Sequence, residues 1–454
     1  MIKDEAPKII KHPGTKTAKY YEIARKYCAQ ENLFAAYENP VIYDEADGCK
    51  VKDVDGNIFL DLAMGYSSIN CGHCNPEIIE AAYSQMRKLH QTHIQLNIPT
   101  IKLSEKLAQI TPGDYAKRVH YDVGGTGACE LTMKITRNYS GKKDFIAFTG
   151  GYHGRALGTS ALSAGWQYRH GFKPVAANVW RFPYPYCYRC FFGREYPDCD
   201  MFCVQYIERF FESVRYGIAD PSTKENDIAG LWVEPIEGNA GYIIPPDEFY
   251  PRLRKLCDEH NIPLIDDEIQ MAFGRTGKML CCENYRTIPD IIILGKSLTG
   301  GVWPQSAVIA PTEYFKDLRH LVTFSENPLG CATALAAIDV IEKEKLCERS
   351  SKMGEYFLKG LKDLEKDHKL VGEVQGKALA LAIEFVRDKG TKEPAPEETD
   401  EIKEKALSKG LILVRQGIFY NRLSIIPYLK ITKEQVDKAI QILDECISEV
   451  ERKL

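Results

Sequence analysis

Lys296 follows Asp290-Ile-Ile-Ile-Leu-Gly, so one amine is delivered just past a wholly apolar strand. A second apolar run, Ile262-Pro-Leu-Ile265, ends in Asp266-Asp267-Glu268-Ile269-Gln270 and brings a carboxylate to what a parallel sheet makes the same edge. Upstream, Val123-Gly124-Gly125-Thr126-Gly127 reads as a turn between a strand and a helix expected from about Ala128 to Asn138. Backbone amides and the helix dipole converge there on an anion. Amine, carboxylate and anion cradle together meet the needs of pyridoxal phosphate: a Schiff-base lysine, a partner for the pyridinium nitrogen and a phosphate site.

Taken singly, each feature has a plainer reading. The glycines could form a mere tight turn with a threonine cap, Asp267 could cap a helix or hold a metal, and Lys296 could be a solvated lysine at a strand end. No histidine neighbours Asp267 in the sequence to support a metal. As a Schiff-base residue Lys296 must lose its proton, which apolar walls from Ile291 to Leu294 favour. In Tyr152-His153 the tyrosine could stack on a planar ring with His153 in support.

The elements that must position these groups follow from the pattern. A chain of 454 residues exceeds one compact core. Apolar runs at 119–123, 144–148, 228–233, 262–265, 291–294 and 306–310 alternate with helical patterns, which predicts an α/β domain on a parallel sheet. Phe249, Leu253, Leu256 and Cys257 recur at helical spacing and stop near His260-Asn261, giving a crossover helix into the Asp267 strand. Thr432 and Gln435 form a capping box before the stripe Val436, Ile440, Leu443, Ile447 and Val450, which predicts a terminal helix. The Lys-, Glu- and Pro-rich stretch 388–400 reads as a solvated loop. A net charge of −4 offers no basic field for nucleic acid or anionic membrane. The polar N-terminal stretch to Lys19 lacks a signal-peptide core, so a cytoplasmic location is expected.

In this order the motifs resemble the class III pyridoxal-phosphate aminotransferases, the ornithine, 4-aminobutyrate and ω-amine group. The likeness runs from Gly72-His73-Cys74-Asn75-Pro76 through Gly151-Tyr-His-Gly-Arg155, Glu234-Pro-Ile-Glu237, Asp267-Glu-Ile-Gln270, Phe273-Gly-Arg-Thr-Gly277 and Lys296 to Thr323-Phe324 and Asn327-Pro-Leu329. It implies fold type I: a large domain, residues 81–328, on a mostly parallel seven-stranded sheet, and a smaller α+β domain from 1–80 and 329–454. It implies that Gly125 and Thr126 hold the phosphate, Tyr152 and Ile269 flank the ring, Gln270 approaches the ring oxygen, and Glu234 and His153 belong to the cofactor site. Thr323 is implied to reach the phosphate bound by a second subunit, hence a homodimer with composite sites. Tyr66, Trp303, Met64 and Phe324 are then expected around the substrate.

Three departures bear on the substrate. Where ornithine- and aminobutyrate-type members carry an arginine for the α-carboxylate, Leu423-Ser424-Ile425-Ile426-Pro427 has Ser424, and where they carry its idle partner glutamate, Gly238-Asn239-Ala240-Gly241 has Asn239. Losing both partners is consistent, since a buried glutamate without its arginine costs several kcal/mol. The same double change resembles ω-amine transaminases acting with pyruvate, in which an earlier arginine swings in for a carboxylate; Arg415 is the candidate, with Arg422 its rival or a surface arginine on a strand. Third, Gly127 stands where many relatives have glutamate. The expected reaction is ping-pong amino transfer from an amine or ω-amino acid to a keto acid such as pyruvate. A racemase, an α-amino-acid, 4-aminobutyrate or ornithine aminotransferase, or a non-catalytic scaffold are the alternatives.

Cys187, Cys190, Cys199 and Cys203 fall in an insertion, 181–203. Their paired spacing could bind zinc, could form two disulfides, or could be unliganded thiols. Cys71 and Cys74 are given no ligand role.

Overall fold

The computed structural model describes residues 2–29, 41–93, 95–172 and 175–454. The chain forms two compact units, Glu77–Cys347 and the combination of Met1–Pro76 with Glu348–Leu454.

The larger unit is built on seven strands: β1 (Lys117–Asp122), β2 (Asp144–Phe148), β3 (Val179–Phe182), β4 (Ile228–Val233), β5 (Leu264–Asp267), β6 (Ile291–Leu294) and β7 (Ser306–Pro311). Their order is β1-β7-β6-β5-β4-β2-β3. The pairs β2–β3, β2–β4, β4–β5 and β5–β6 are parallel, while β7 runs antiparallel to both β6 and β1. The mostly parallel sheet of fold type I is thus present, with β7 reversed and β3 a strand that apolar patterning missed. β3 lies at the sheet edge and reads Val-Trp-Arg-Phe, only partly buried. β4, β5 and β6 are buried along their whole length, as strands covered on both faces must be.

Helices of this unit include α1 (Pro76–Lys88), α2 (Ile98–Ile110), α3 (Gly124–Ser140), α4 (Phe249–His260) and α5 (Pro328–Lys343). α4 ends as expected, with Asn261 in the left-handed region at φ 51°. α5 starts on Asn327, whose side chain accepts from the amides of Leu329 and Gly330, and packs on α2. The second division of the chain therefore falls after α5, at 347/348, rather than before it. A core from Ala128, Leu131 and Ile135 of α3, Phe145, Trp232, Ile265, Ile291 and Val308 locks α3 onto the sheet.

In the other unit, strands Tyr43–Asp47, Lys50–Asp53 and Ile58–Asp61 join Leu411–Ile412, which pairs parallel to Leu60 and Asp61. A second sheet holds Val371–Lys377, Ala380–Asp388, Arg422–Ile425 and Val414–Gln416. The stretch 388–400 is not one solvated loop. Glu393–Pro394 pairs with Ala380–Asp388 and α6 (Pro396–Ser408) starts within it, because Pro396 suits a first helical position and Glu397 and Glu398 favour a helix N-terminus. α7 (Lys433–Glu451) carries the expected capping box, and its buried face adds Ala439, Ile442 and Cys446 to the predicted stripe. No described helix is long and apolar enough to cross a membrane.

Candidate active site

Strands of one direction end on one edge, and the carboxyl ends of β2, β4, β5 and β6 each release a polar group there. Asp267 ends β5 opposite Ile293 of β6, and two residues beyond β6 comes Lys296, held at φ 45° in a short turn. The Lys296 Nζ donates to Gln270 Oε1 at 3.1 Å, and Gln270 Nε2 donates to Tyr242 Oη at 2.7 Å. Burial pushes the Lys296 amine below its ordinary value, against Glu234 and Asp267, which pull it up.

Asp267 is clamped from three elements. His153 Nδ1 lies 2.7 Å from Asp267 Oδ2, the Cys129 thiol of α3 approaches the same oxygen at 3.7 Å, and the Ile269 amide donates to Oδ1 at 3.2 Å. Tyr152 and His153 follow β2, and the His153 amide donates to Ser163 Oγ at 2.9 Å. His153 thus serves the carboxylate, a partnership hidden in the sequence by a separation of 114 residues. Glu234, just past β4, accepts from the Tyr152 amide at 2.8 Å and from the Gly238 amide at 3.0 Å, so it joins the Tyr152 loop to the next turn. Burial raises its carboxyl, His153 lowers it and Asp267 raises it further.

The helix begins four residues before the expected Ala128: α3 starts at Gly124, placing Gly125, Thr126 and Gly127 inside its first turn. No side chain caps this end, which leaves it open to an anion. A Cβ at Gly125 would lie 2.9 Å from Ile269 Cδ1, so glycine there lets Ile269 sit against the turn. A Cβ at Gly127 would lie 2.4 Å from Asp122 Oδ1. Asp122 fills the space that a side chain at 127 would need, and it is fixed by the Val123 amide at 2.6 Å and by His320 Nε2 at 2.8 Å. Tyr152 meets Tyr168 edge-on, with ring centroids 5.2 Å apart. An amine, a carboxylate held by a histidine, an uncapped glycine-rich helix start and flanking Tyr152 and Ile269 fit pyridoxal phosphate.

Other expected residues have contacts of their own. Thr323 is exposed, its carbonyl held by Gln91 Nε2 at 3.0 Å. The Trp303 carbonyl accepts from Thr299 Oγ1 at 2.6 Å, and its buried indole N–H has no partner. Asn239 donates to Tyr168 Oη at 3.1 Å. In the other unit Tyr66 sits in a turn with positive φ at Met64, Gly65, Tyr66 and Ser67, secured by Asp61 Oδ1 accepting from the amides of Ala63 and Met64. Such backbone strain gathers at functional sites. Ser424 is buried and donates to Gln416 Oε1 at 2.8 Å. Arg415 pairs with Asp400 and lies 5.5 Å from the Tyr420 ring centroid. Arg422 is not a surface arginine: it is wholly buried, 2.9 Å from Glu384, because its strand lies inside the second sheet.

The sequence reading missed Glu237. It is 1% exposed, and neither carboxylate oxygen has a hydrogen-bond partner. Among the described residues no disulfide joins any cysteine, which removes the two-disulfide reading in this structure. The four thiols at 187, 190, 199 and 203 line one pocket. They do not converge as tightly as Asp266, Glu268 and Cys282, the described group whose ligand atoms all lie within 4.8 Å of one another.

The chain is 34% identical over 418 residues to the leucine/methionine racemase of Thermococcus litoralis, covering 91% of each. It is 34% identical over 418 residues to the 5-aminovalerate aminotransferase of Pseudomonas aeruginosa strain PAO1, covering 91% of this chain and 94% of that one. The thermostable (S)-enantioselective ω-transaminase of Thermomicrobium roseum superposes with a TM-score of 0.87 at 29% identity, over 96% of this chain and 99% of that one. The family model for aminotransferase class-III matches residues 33–447, and to that family, enzymes of the pyridoxal-phosphate fold type I, the chain belongs.

Proposed function

We propose that this class III aminotransferase moves an amino group from an amine or ω-amino acid to a keto acid such as pyruvate, by a ping-pong sequence. The observation that carries this reading is the neutral pair at the two departures. Ser424 and Asn239 are engaged with Gln416 and Tyr168, and neither position offers a fixed cation or its idle acid partner. A donor without an α-carboxylate needs no such clamp.

When bound, pyridoxal phosphate supplies an aldehyde for the amine and a ring that accepts the electron pair left as the substrate carbon loses its proton. The first turn of α3, with Gly125 and Thr126, would hold its phosphate; Tyr152 and Ile269 would flank its ring; Asp267 would face the ring nitrogen. Gln270 orients the Lys296 amine, and burial favours that amine in its neutral form. Lys296 Nζ then takes the proton from the substrate carbon and hands it on. His153 holds Asp267 in place, and Glu234 ties down the Tyr152 loop. Arg415, released from Asp400, is the residue we assign to the keto-acid carboxylate. Exposed Thr323 is assigned to a second copy's phosphate, which makes the working unit a homodimer.

A donor screen against pyruvate and 2-oxoglutarate tests the reading. Amines and ω-amino acids with pyruvate should be turned over best, and a strong preference for 2-oxoglutarate counts against it. In single turnovers Arg415→Ala should slow the keto-acid half-reaction far more than the amine half-reaction. Equal loss in both removes Arg415 from this role. The likeness to a racemase supports a second reading, in which the proton is returned to the same carbon. Incubating one amino-acid enantiomer with no keto acid distinguishes the two: appearance of the other enantiomer favours racemisation.

A further inference from the structure

The loop that carries Thr323 is moored at its start by groups from two elements. His320 Nε2 lies 2.8 Å from Asp122 Oδ2, at the end of β1, and its Nδ1 lies 3.1 Å from the Nζ of Lys134 on α3. An ammonium only donates, so Nδ1 accepts and the His320 proton sits on Nε2, aimed at the carboxylate. His120, on the same face of β1 as Asp122, holds the backbone of the same loop residue, its Nε2 lying 3.2 Å from the His320 carbonyl. Downstream, Gln91 holds the Thr323 carbonyl at 3.0 Å and Gln305 Nε2 that of Ser325 at 3.1 Å. Between His320 and Ser325, Leu321 and Phe324 are 75% and 48% exposed, so the segment stands out from the surface with its course set by its ends.

We infer that Asp122 is a positioning residue for Thr323: its carboxylate takes the place of a glutamate side chain at 127 and, through His320, sets the reach of the loop toward a second copy's cofactor phosphate. The inference rests on the composite-site reading of the proposed function. Steric exclusion supports it. A Cβ at Gly127 would lie 2.4 Å from Asp122 Oδ1 and 2.8 Å from its Cγ, so the Asp122 carboxylate and a side chain at 127 exclude each other from this space. Asp122 is fixed on its other sides, its carbonyl by Ser306 Oγ at 3.0 Å and its Oδ1 by the Val123 amide at 2.6 Å, which leaves Oδ2 for His320. The aspartate side chain is 6% exposed and the imidazole 11%, so water competes little for their bond. Gly127 and Lys134 lie two helical turns apart on one face of α3, so the same face that makes room for the carboxylate supplies the cation behind the imidazole.

The test reads the enzyme's affinity for pyridoxal phosphate, by absorbance after equilibrium dialysis. Asp122→Ala should weaken it about tenfold or more, the scale of one lost charge-assisted hydrogen bond. With alanine there only its Cβ remains, 3.4 Å from the Cβ position at 127, and Gly127→Glu in that background should regain most of the loss. Mere loss of packing is not repaired in this way. Asp122→Ala combined with Thr323→Val should be no more than about twofold worse than the worse single variant, because both break one path. Should Asp122→Ala fail to fold, His320→Leu cuts the same contact from the loop side and should give the same loss, again without adding to Thr323→Val. A costly Thr323→Val beside a harmless Asp122→Ala, or losses that add in full, overturns the inference while the composite site stands. So does a folded Asp122→Ala, Gly127→Glu variant that regains no affinity. A harmless Thr323→Val removes the composite-site reading, and the inference falls with it.

Discussion

Lys296 and Asp267 were legible because each ends a run whose composition leaves no doubt that it is a buried strand. His153 and Gln270 were placed in the site by resemblance, but their contacts with Asp267 and Lys296, and that of Cys129 with Asp267, arise only through the fold. Asp267 lies 2.7 Å from His153 Nδ1 and accepts from the Ile269 amide, an arrangement that orients the carboxylate. Asp267→Asn should therefore keep the cofactor and lower kcat by about 10²–10³-fold, the scale of one lost electrostatic stabiliser; unchanged kcat in steady-state assays refutes its role. Glu237 makes a different prediction. Burial, then Glu234, hold its carboxyl well above the ordinary range, so the folded protein keeps a proton that the unfolded chain surrenders near pH about 4.3. Its contribution to stability is present in full below that pH and is lost as pH rises toward the folded value. Glu237→Gln should thus gain on wild type from about pH 5 to pH 8, reaching about 1–3 kcal/mol, the cost of a buried unsatisfied group. Denaturant unfolding across that range checks it, and a difference independent of pH contradicts it.

At the scale of elements, the order of strands and the two capped helices α4 and α7 followed from periodicity, whereas starts and edges did not. α3 takes in glycines that sequence reading places in a turn, because the strand before it and Asp122 fix the backbone there. α6 was hidden by its charged composition, yet Thr399, Ile402, Ala406 and Leu407 give it a buried face. Arg422 misleads for a related reason: on a strand covered on both sides, a charged residue is tolerated only with a partner. Glu384 at 2.9 Å and Glu373 at 3.6 Å supply that, and burial still holds the Glu373 carboxyl up at about 7. Arg422→Met should cost about 3–5 kcal/mol by leaving Glu384 uncompensated. The fraction that folds should retain its KM for the keto acid. An increase in that KM with little loss of stability transfers the carboxylate-binding role from Arg415 to Arg422.

For the whole molecule the open question is what covers its apolar surface. On α1, Ile79, Tyr83 and Met86 form one face, each 45–54% exposed, and Leu89 continues it just past the helix end. Leu96, Ile98 and Ile101 near the start of α2, and Leu321 and Phe324 beside Thr323, are also exposed. Isolated apolar side chains are ordinary on a surface, but a stripe at helical spacing is what an interface offers. A second copy seated there would bury the stripe and, on the proposed function, bring a foreign loop to each site. The prediction joins assembly to cofactor binding. Wild-type protein should scatter light as a dimer, and Tyr83→Glu with Met86→Glu should yield folded monomers, since charges at an interface core oppose association. Those monomers should bind pyridoxal phosphate at least about tenfold more weakly, a loss of about 1.4 kcal/mol, because Thr323 of the second copy is gone. Thr323→Val in the intact dimer should reproduce most of that loss without dissociation. Wild-type monomers that hold the cofactor tightly, or a dimer indifferent to Thr323→Val, would show that each site is completed within its own chain.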